Sequence, residues 1–117
     1  ATAERLLRTA VTLEPADTRT RVRLGTLLSQ RPTDVLALLE PVAEPRPPDA
    51  FGVWQLRANA YLSLDDLERA RDAARDLTRV AFSRQQRTTA AELLASIEAG
   101  LAARDRARTS GDGPSVR

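Results

Sequence analysis

The sequence predicts an all-α domain, and three observations lead to it. The apolar content is mostly alanine, leucine and valine, while aromatic residues make up only 3% of the chain. Alanine and leucine favour helices, whereas a sheet would draw on β-branched and aromatic side chains. Apolar residues also recur at spacings of three and four, the mark of one helical face, and no stretch sustains the alternation of a strand. At 117 residues the chain has the length of one domain with a modest core.

About six helices are expected. The first covers residues 2–14, with Ala3, Leu6, Leu7, Ala10, Val11 and Leu13 on its apolar face, and Pro15 ends it. A second runs over 18–30 with Val22, Leu24, Leu27 and Leu28 inward. Asp17 or Thr18 can cap its free amides, and Arg31-Pro32 breaks it. The third starts near Thr33 and shows Val35, Leu38, Leu39 and Val42. Pro41 falls inside that pattern, lacks an amide proton and clashes with the preceding turn, so a kink or early stop is expected there.

The proline-rich stretch 45–48 is a rigid connector, after which Asp49 is expected to cap a fourth helix over 50–63. Asp65-Asp66 marks the next turn. A fifth helix, 66–80, places Leu67, Ala70, Ala73, Ala74 and Leu77 on one face. The sixth, 83–107, carries Ala90, Leu93, Leu94, Ile97 and Leu101. Residues 109–117 contain Gly111, Gly113 and Pro114 but no apolar cluster, so a disordered tail is expected.

The short connections imply antiparallel hairpins, and the hairpins repeat. The series Ala3, Leu7, Ala10, Pro15 recurs as Val35, Leu39, Val42, Pro47 and again as Ala70, Ala74, Leu77, Phe82. The intervening helices carry their own pattern. Leu24-Gly25 is followed by Leu28, and Trp54 by Ala58 and Tyr61. Small residues at Gly25 and Ala58 let helix axes approach, and Ala3 and Ala70 receive the partner helix. Leu28 and Tyr61 then fill the space alongside, the alternation that interdigitated packing requires.

These residues carry a resemblance. The sequence resembles the tetratricopeptide repeat, a helix-turn-helix unit of about 34 residues. Its best match runs from Trp54 through Ala58 and Tyr61 to Ala70, and the likeness extends over roughly 1–82. It departs from the pattern at Asp65, where the family usually has glycine, at Pro41, and at Phe82 in place of a closing proline. The resemblance implies a short right-handed α-solenoid over 1–108, with about two and a half repeats and a capping helix over 83–107.

The resemblance further implies a module that binds a peptide or partner protein on its concave face, lined by the first helix of each hairpin. That assigns Arg19, Val22, Arg23, Thr26 and Gln30 of the second helix to the open side, with Gln55, Asn59 and Leu62 of the fourth. Asn59, beside the small Ala58, matches a position where some members hold a peptide backbone, since an amide donates and accepts at once. Arg19 and Arg23 lie one turn apart and suit a carboxylate. Trp54 and Tyr61 match packing positions. The lysine–asparagine set of the carboxylate-clamp subfamily is incomplete. An accessory or regulatory domain of a larger enzyme or transcription regulator, using the same surface within its own chain, is the alternative.

Composition narrows the chemistry. There is no cysteine and no histidine, which removes thiolate nucleophiles, disulfides and imidazole catalysis. General acid–base work would fall to carboxylates. The adjacent pair Asp65-Asp66 sits on a turn and points apart, while Asp72 and Asp76 are surrounded at helical spacing by Arg69, Arg75 and Arg79. No Gly-rich phosphate loop is present. Neither enzymatic activity, nor a cofactor, nor a metal site is expected.

All 18 basic residues are arginine, interspersed with 16 acidic ones. Such mixing suits solvated helix faces rather than a nucleic-acid arm. No apolar run reaches a membrane span and no signal peptide is visible, and the lack of cysteine fits the cytoplasm. With no methionine even at position 1, the chain is expected to be a processed form or a segment of a longer protein.

Overall fold

The computed structural model describes residues 2–115, and the side chains of residues 2–109. Six helices make up the fold: α1 (Thr2–Leu13), α2 (Thr18–Leu27), α3 (Pro32–Leu39), α4 (Ala50–Ser63), α5 (Leu67–Val80) and α6 (Arg84–Ser115). No strand occurs among the described residues. The all-α expectation therefore holds, and no helix is long and apolar enough to cross a membrane among those residues.

Local chemistry explains most boundaries. Asp17 caps α2 by accepting from the Thr20 amide, and its other carboxylate oxygen accepts from the Thr20 hydroxyl at 2.8 Å. These two bonds hold its pKa below the ordinary aspartate value. Asp66 caps α5 through the Arg69 amide. At the start of α6, Ser83 and Gln86 form a reciprocal capping box: the Gln86 amide donates to the Ser83 hydroxyl, and the Gln86 side chain accepts from the amides of Phe82 and Ser83. Pro32 occupies the first turn of α3, where its missing N–H costs nothing.

Other expectations change. α3 ends at Leu39 rather than continuing to Val42: the Glu40 backbone is still helical, but Pro41 has no N–H with which to continue the hydrogen-bond ladder. α2 stops at Leu27, three residues early, which leaves Leu27 half exposed instead of inward. Asp49 makes no side-chain cap; its backbone is already helical, and the amides of Asp49 and Ala50 bond the Arg46 carbonyl instead. α6 extends past Ala107 to Ser115 into the stretch expected to be disordered, although Leu101 is its last buried apolar residue. Most residues added to an existing helix gain one backbone hydrogen bond, so a helix can outrun its packing surface; Pro114, with no N–H, is an exception here. Residues 116 and 117 lie outside the described part.

Each helix packs on the next, and α2 also packs on α4 and α4 on α6. Among the described residues, α1 packs on no helix but α2, with one ion pair from Glu4 to Arg31 just before α3, and no pairing joins the first helix to the last. The molecule is elongated, at 61 × 32 × 22 Å. Its core has two parts. Leu24, Leu28, Val35, Leu39, Val53 and Ala60 form one between α2, α3 and α4. Ala58, Leu67, Ala70, Ala73, Ala74, Ile97 and Leu101 form the other between α4, α5 and α6, with Trp54 and Tyr61 packed against it.

Small residues mark the close approaches. A Cβ on Gly25 would lie 2.8 Å from the Leu56 side chain, and one on Gly52 would lie 2.9 Å from the Val22 side chain. α2 and α4 thus meet at two points, each with a glycine under a branched side chain. Ala58 and Ala70 are fully buried. Ala3 is not: it is exposed, together with Leu6 and Leu13, because no other helix among the described residues covers the outer side of α1.

Candidate functional site

The six residues expected to bind a partner fall on two helices that pack side by side. Arg19, Arg23 and Thr26 are exposed along α2, as is Gln30 just beyond it. On α4, Asn59 and Leu62 are exposed and Gln55 is half-buried. At about 100° per residue, Val22 and Gly25 point α2 toward α4, and Arg19, Arg23 and Thr26 lie beside that seam. Gly52 and Leu56 face it from α4, with Gln55 and Asn59 on its outer side. The two strips therefore border one polar face.

One assignment needs correction. Val22, read by spacing as inward and by the resemblance as open, is half-buried in the seam against Gly52. The Thr26 hydroxyl is already engaged, donating to the Val22 carbonyl at 2.9 Å, which leaves only its lone pairs to offer.

A second arrangement was not legible in the sequence. Pro41 stops α3 early and leaves its last carbonyls without intrahelical partners. Two arginines from flanking helices supply them. Arg21 of α2 is buried; its Nε donates to the Pro15 carbonyl at 2.9 Å and a terminal nitrogen donates to the Leu38 carbonyl at 2.8 Å. Arg57 of α4 donates to the Leu39 and Val42 carbonyls at 2.7 and 2.6 Å.

The Arg57 guanidinium also lies over the Trp54 ring, 4.8 Å from its centroid. Burial pulls its pKa below the ordinary arginine value. Cations at a helix C-terminus also oppose the helix dipole favourably. The available signal was indirect: a proline inside an apolar pattern orphans carbonyls, and Arg21 occupies the place that Trp54 fills one repeat later.

Arg57 also lines a cleft. A cavity of about 620 Å³ opens between α3 and α5 and is floored by α4. Trp54, Arg57 and Tyr61 form the floor; Thr33, Leu36 and Glu40 form one wall; Arg69, Asp72 and Asp76 form the other. Asp76 is paired with Arg79 at 2.7 Å and Arg69 reaches Asp66 at 3.7 Å. Glu40 and Asp72 make no ion pair among the described residues. Asn59 and Tyr61 are about 160° apart around α4, so this cleft opens on a different side from the Asn59 face.

No grouping of three or more metal-ligating side chains occurs among the described residues. No protein-family model matches the chain, and neither a curated protein nor a solved structure matches it.

Proposed function

We propose that the chain is a helical-hairpin repeat module of the tetratricopeptide type. Its hairpins stack as a short right-handed solenoid that binds a peptide or partner protein. The binding face is the one bordered by Arg19, Arg23, Thr26, Gln55, Asn59 and Leu62. The module acts by holding its partner, without chemistry of its own. One observation carries this reading: α4 packs against both α2 and α6, the alternate helices on either side of it, while among the described residues α1, α3 and α5 pack only on the helices that flank them in sequence. Stacked hairpins produce that pattern, because the first helices of successive hairpins form one layer. The burial of Gly25 and Ala58 at corresponding positions supports the same stacking.

A peptide-display library panned against the chain tests the proposal. Selected extended peptides should lose about fivefold or more in affinity with Asn59→Ala, the scale of one interfacial hydrogen bond. Equal affinity for the wild type and the Asn59→Ala and Arg23→Ala variants would remove this face from the proposal.

A second reading is favoured by the outer side of α1, where Ala3, Leu6 and Leu13 are apolar and exposed. In that reading the chain is an accessory domain contacting another domain of its own protein. Its association with that domain should weaken in a Leu6→Gln, Leu13→Gln double variant and be indifferent to Asn59→Ala.

A further inference from the structure

We infer that copies of this chain join head to tail, the α1–α2 end of one seating on α6 of the next. The inference rests on the hairpin stacking proposed above and carries that stacking across the boundary between two molecules. Three positions at the α1–α2 end are exposed where their equivalents one repeat later are covered. Leu6 is 65% exposed, while Leu38, its equivalent, is half-buried over Gly25. Ala3 is exposed, while Val35 is buried. Leu27 is 49% exposed, while Ala60 is 4% exposed. An end that closes a stacked array carries a polar outer face, and this one is apolar.

The matching half lies on α6. Gly25, Ala58 and Ala91 follow one another at equal intervals along the chain. The first two are buried small residues, each beneath the next hairpin. A Cβ on Gly25 would lie 2.8 Å from the Leu56 side chain and 3.8 Å from that of Leu38, and Ala58 shares a core with Ala73. Ala91, third in the series, is exposed. One repeat before Leu38 and Leu56 stand Leu6 and Arg23. Continuing the step that carries α1–α2 onto α3–α4 therefore brings Leu6 and Arg23 of a second copy over Ala91. Its α1 then takes, against α6, the place of α3 against α2 and of α5 against α4.

Charge agrees with this order. Glu92, next to Ala91, is exposed, as is Arg23, and neither has an ion-pair partner among the described residues. The step sets these opposite charges against each other across the junction, which fixes the register of the two copies. One chain carries both halves, so a second copy supplies what each end lacks. The two patches differ, so every junction leaves one of each free and the assembly is open-ended.

Sedimentation equilibrium of the whole chain, from about 10 μM to about 1 mM, tests this over the range in which small interfaces associate. The mean mass should rise with concentration and pass that of a dimer. Leu6→Arg and Ala91→Arg should each leave the chain monomeric over the same range. Both positions are exposed, so the variants should keep the helix content and thermal midpoint of the parent. An equimolar mixture of the two variants restores one intact junction and should form dimers and nothing larger.

A parent chain that stays monomeric, or that stops at the dimer, would overturn the inference. So would association that survives either substitution, or a mixture that remains monomeric. Asn59→Ala should associate as the parent does, and peptides selected on the Asn59 face should bind the monomeric Leu6→Arg variant as they bind the parent. Failure of the junction is thus read in the Leu6 and Ala91 variants, and failure of the peptide face in Asn59→Ala.

Discussion

In α5, Ala70, Ala74 and Leu77 are all fully buried, whereas the corresponding Ala3, Leu7 and Ala10 of α1 are exposed or half-buried. The α3 set falls between them, with Val35 and Leu39 buried and Val42 half-buried. One spaced pattern thus gives three outcomes. The number of helical neighbours explains the gradient: among the described residues α5 packs between α4 and α6, α3 between α2 and α4, and α1 against α2 alone. The two ends also close their helices differently. The α4–α5–α6 region relies on small residues and local caps, while the region around α3 relies on long-range arginine donors. Periodicity therefore sets which face is apolar, and neighbours set how much that face contributes.

The sharpest way to break this comparison is a matched pair of truncations. Leu77→Ala should destabilise the fold by about 3 kcal/mol, a buried leucine losing both transfer energy and packing. Leu13→Ala, at 75% exposure, should change stability by less than about 0.5 kcal/mol. Urea unfolding measures both, and similar losses would mean that α1 is as well packed as α5.

The arginine caps come next. Arg57→Met keeps much of the side-chain length but removes the donors to Leu39 and Val42, and should cost about 2 kcal/mol. Arg21→Met should cost a similar amount. If water satisfies the α3 carbonyls equally well, neither substitution will shift the urea midpoint appreciably.

A smaller effect, of opposite sign, is expected at the turn before α5. Asp65 has a φ of 59°, the left-handed region that a Cβ disfavours. Asp65→Gly should relieve this and raise stability by about 0.5–1 kcal/mol, partly offset by the greater freedom of glycine in the unfolded chain. A fall in thermal midpoint would place the Asp65 side chain in a stabilising role that this geometry does not provide.

The smallest expected effects are those of pH. Glu4 bridges α1 to the start of α3 through Arg31, with Arg8 as a second partner, and Glu68 pairs with Arg104 between α5 and α6. Hydrogen bonds from these arginines, Arg31 first for Glu4, lower both carboxyl pKa values below 4.5. A lowered folded-state value means that the stabilisation is present above 4.5 and is lost as pH falls through the folded-state value. Glu4→Gln and Glu68→Gln should therefore each flatten stability slightly below pH 4.5 and leave its slope near neutrality unchanged. Both pairs are surface-exposed, so added salt should diminish the difference.

Much of the fold was legible because its causes are local. Prolines at 15 and 41 lie at helix ends, Asp17, Pro32 and Asp66 mark helix starts, and Gly25, Ala58 and Ala70 gave the buried close-packing positions. Legibility failed where a residue's fate depends on what lies opposite. Leu6 and Leu13 read as core by spacing, yet no described residue covers them and they are 65% and 75% exposed. Arg21 reads as surface by type, yet it is buried, because its partner is a carbonyl 17 residues away. For the candidate face, the exposure of Arg19, Arg23 and Asn59 agrees with helical spacing, while the burial of Val22 depended on where Gly52 came to rest.

By itself, then, the sequence determined the helices, most of their limits and the small residues on which they approach one another. These are properties of a few neighbouring residues, fixed by backbone sterics and by the 3.6-residue turn. Only the tertiary structure decided which apolar faces find a cover, which arginines complete the shortened α3, and that a cleft with aromatic rings below and carboxylates at its walls lies between α3 and α5. Burial and long-range hydrogen bonds need two segments at once, and the pattern along either segment alone carries no trace of the other.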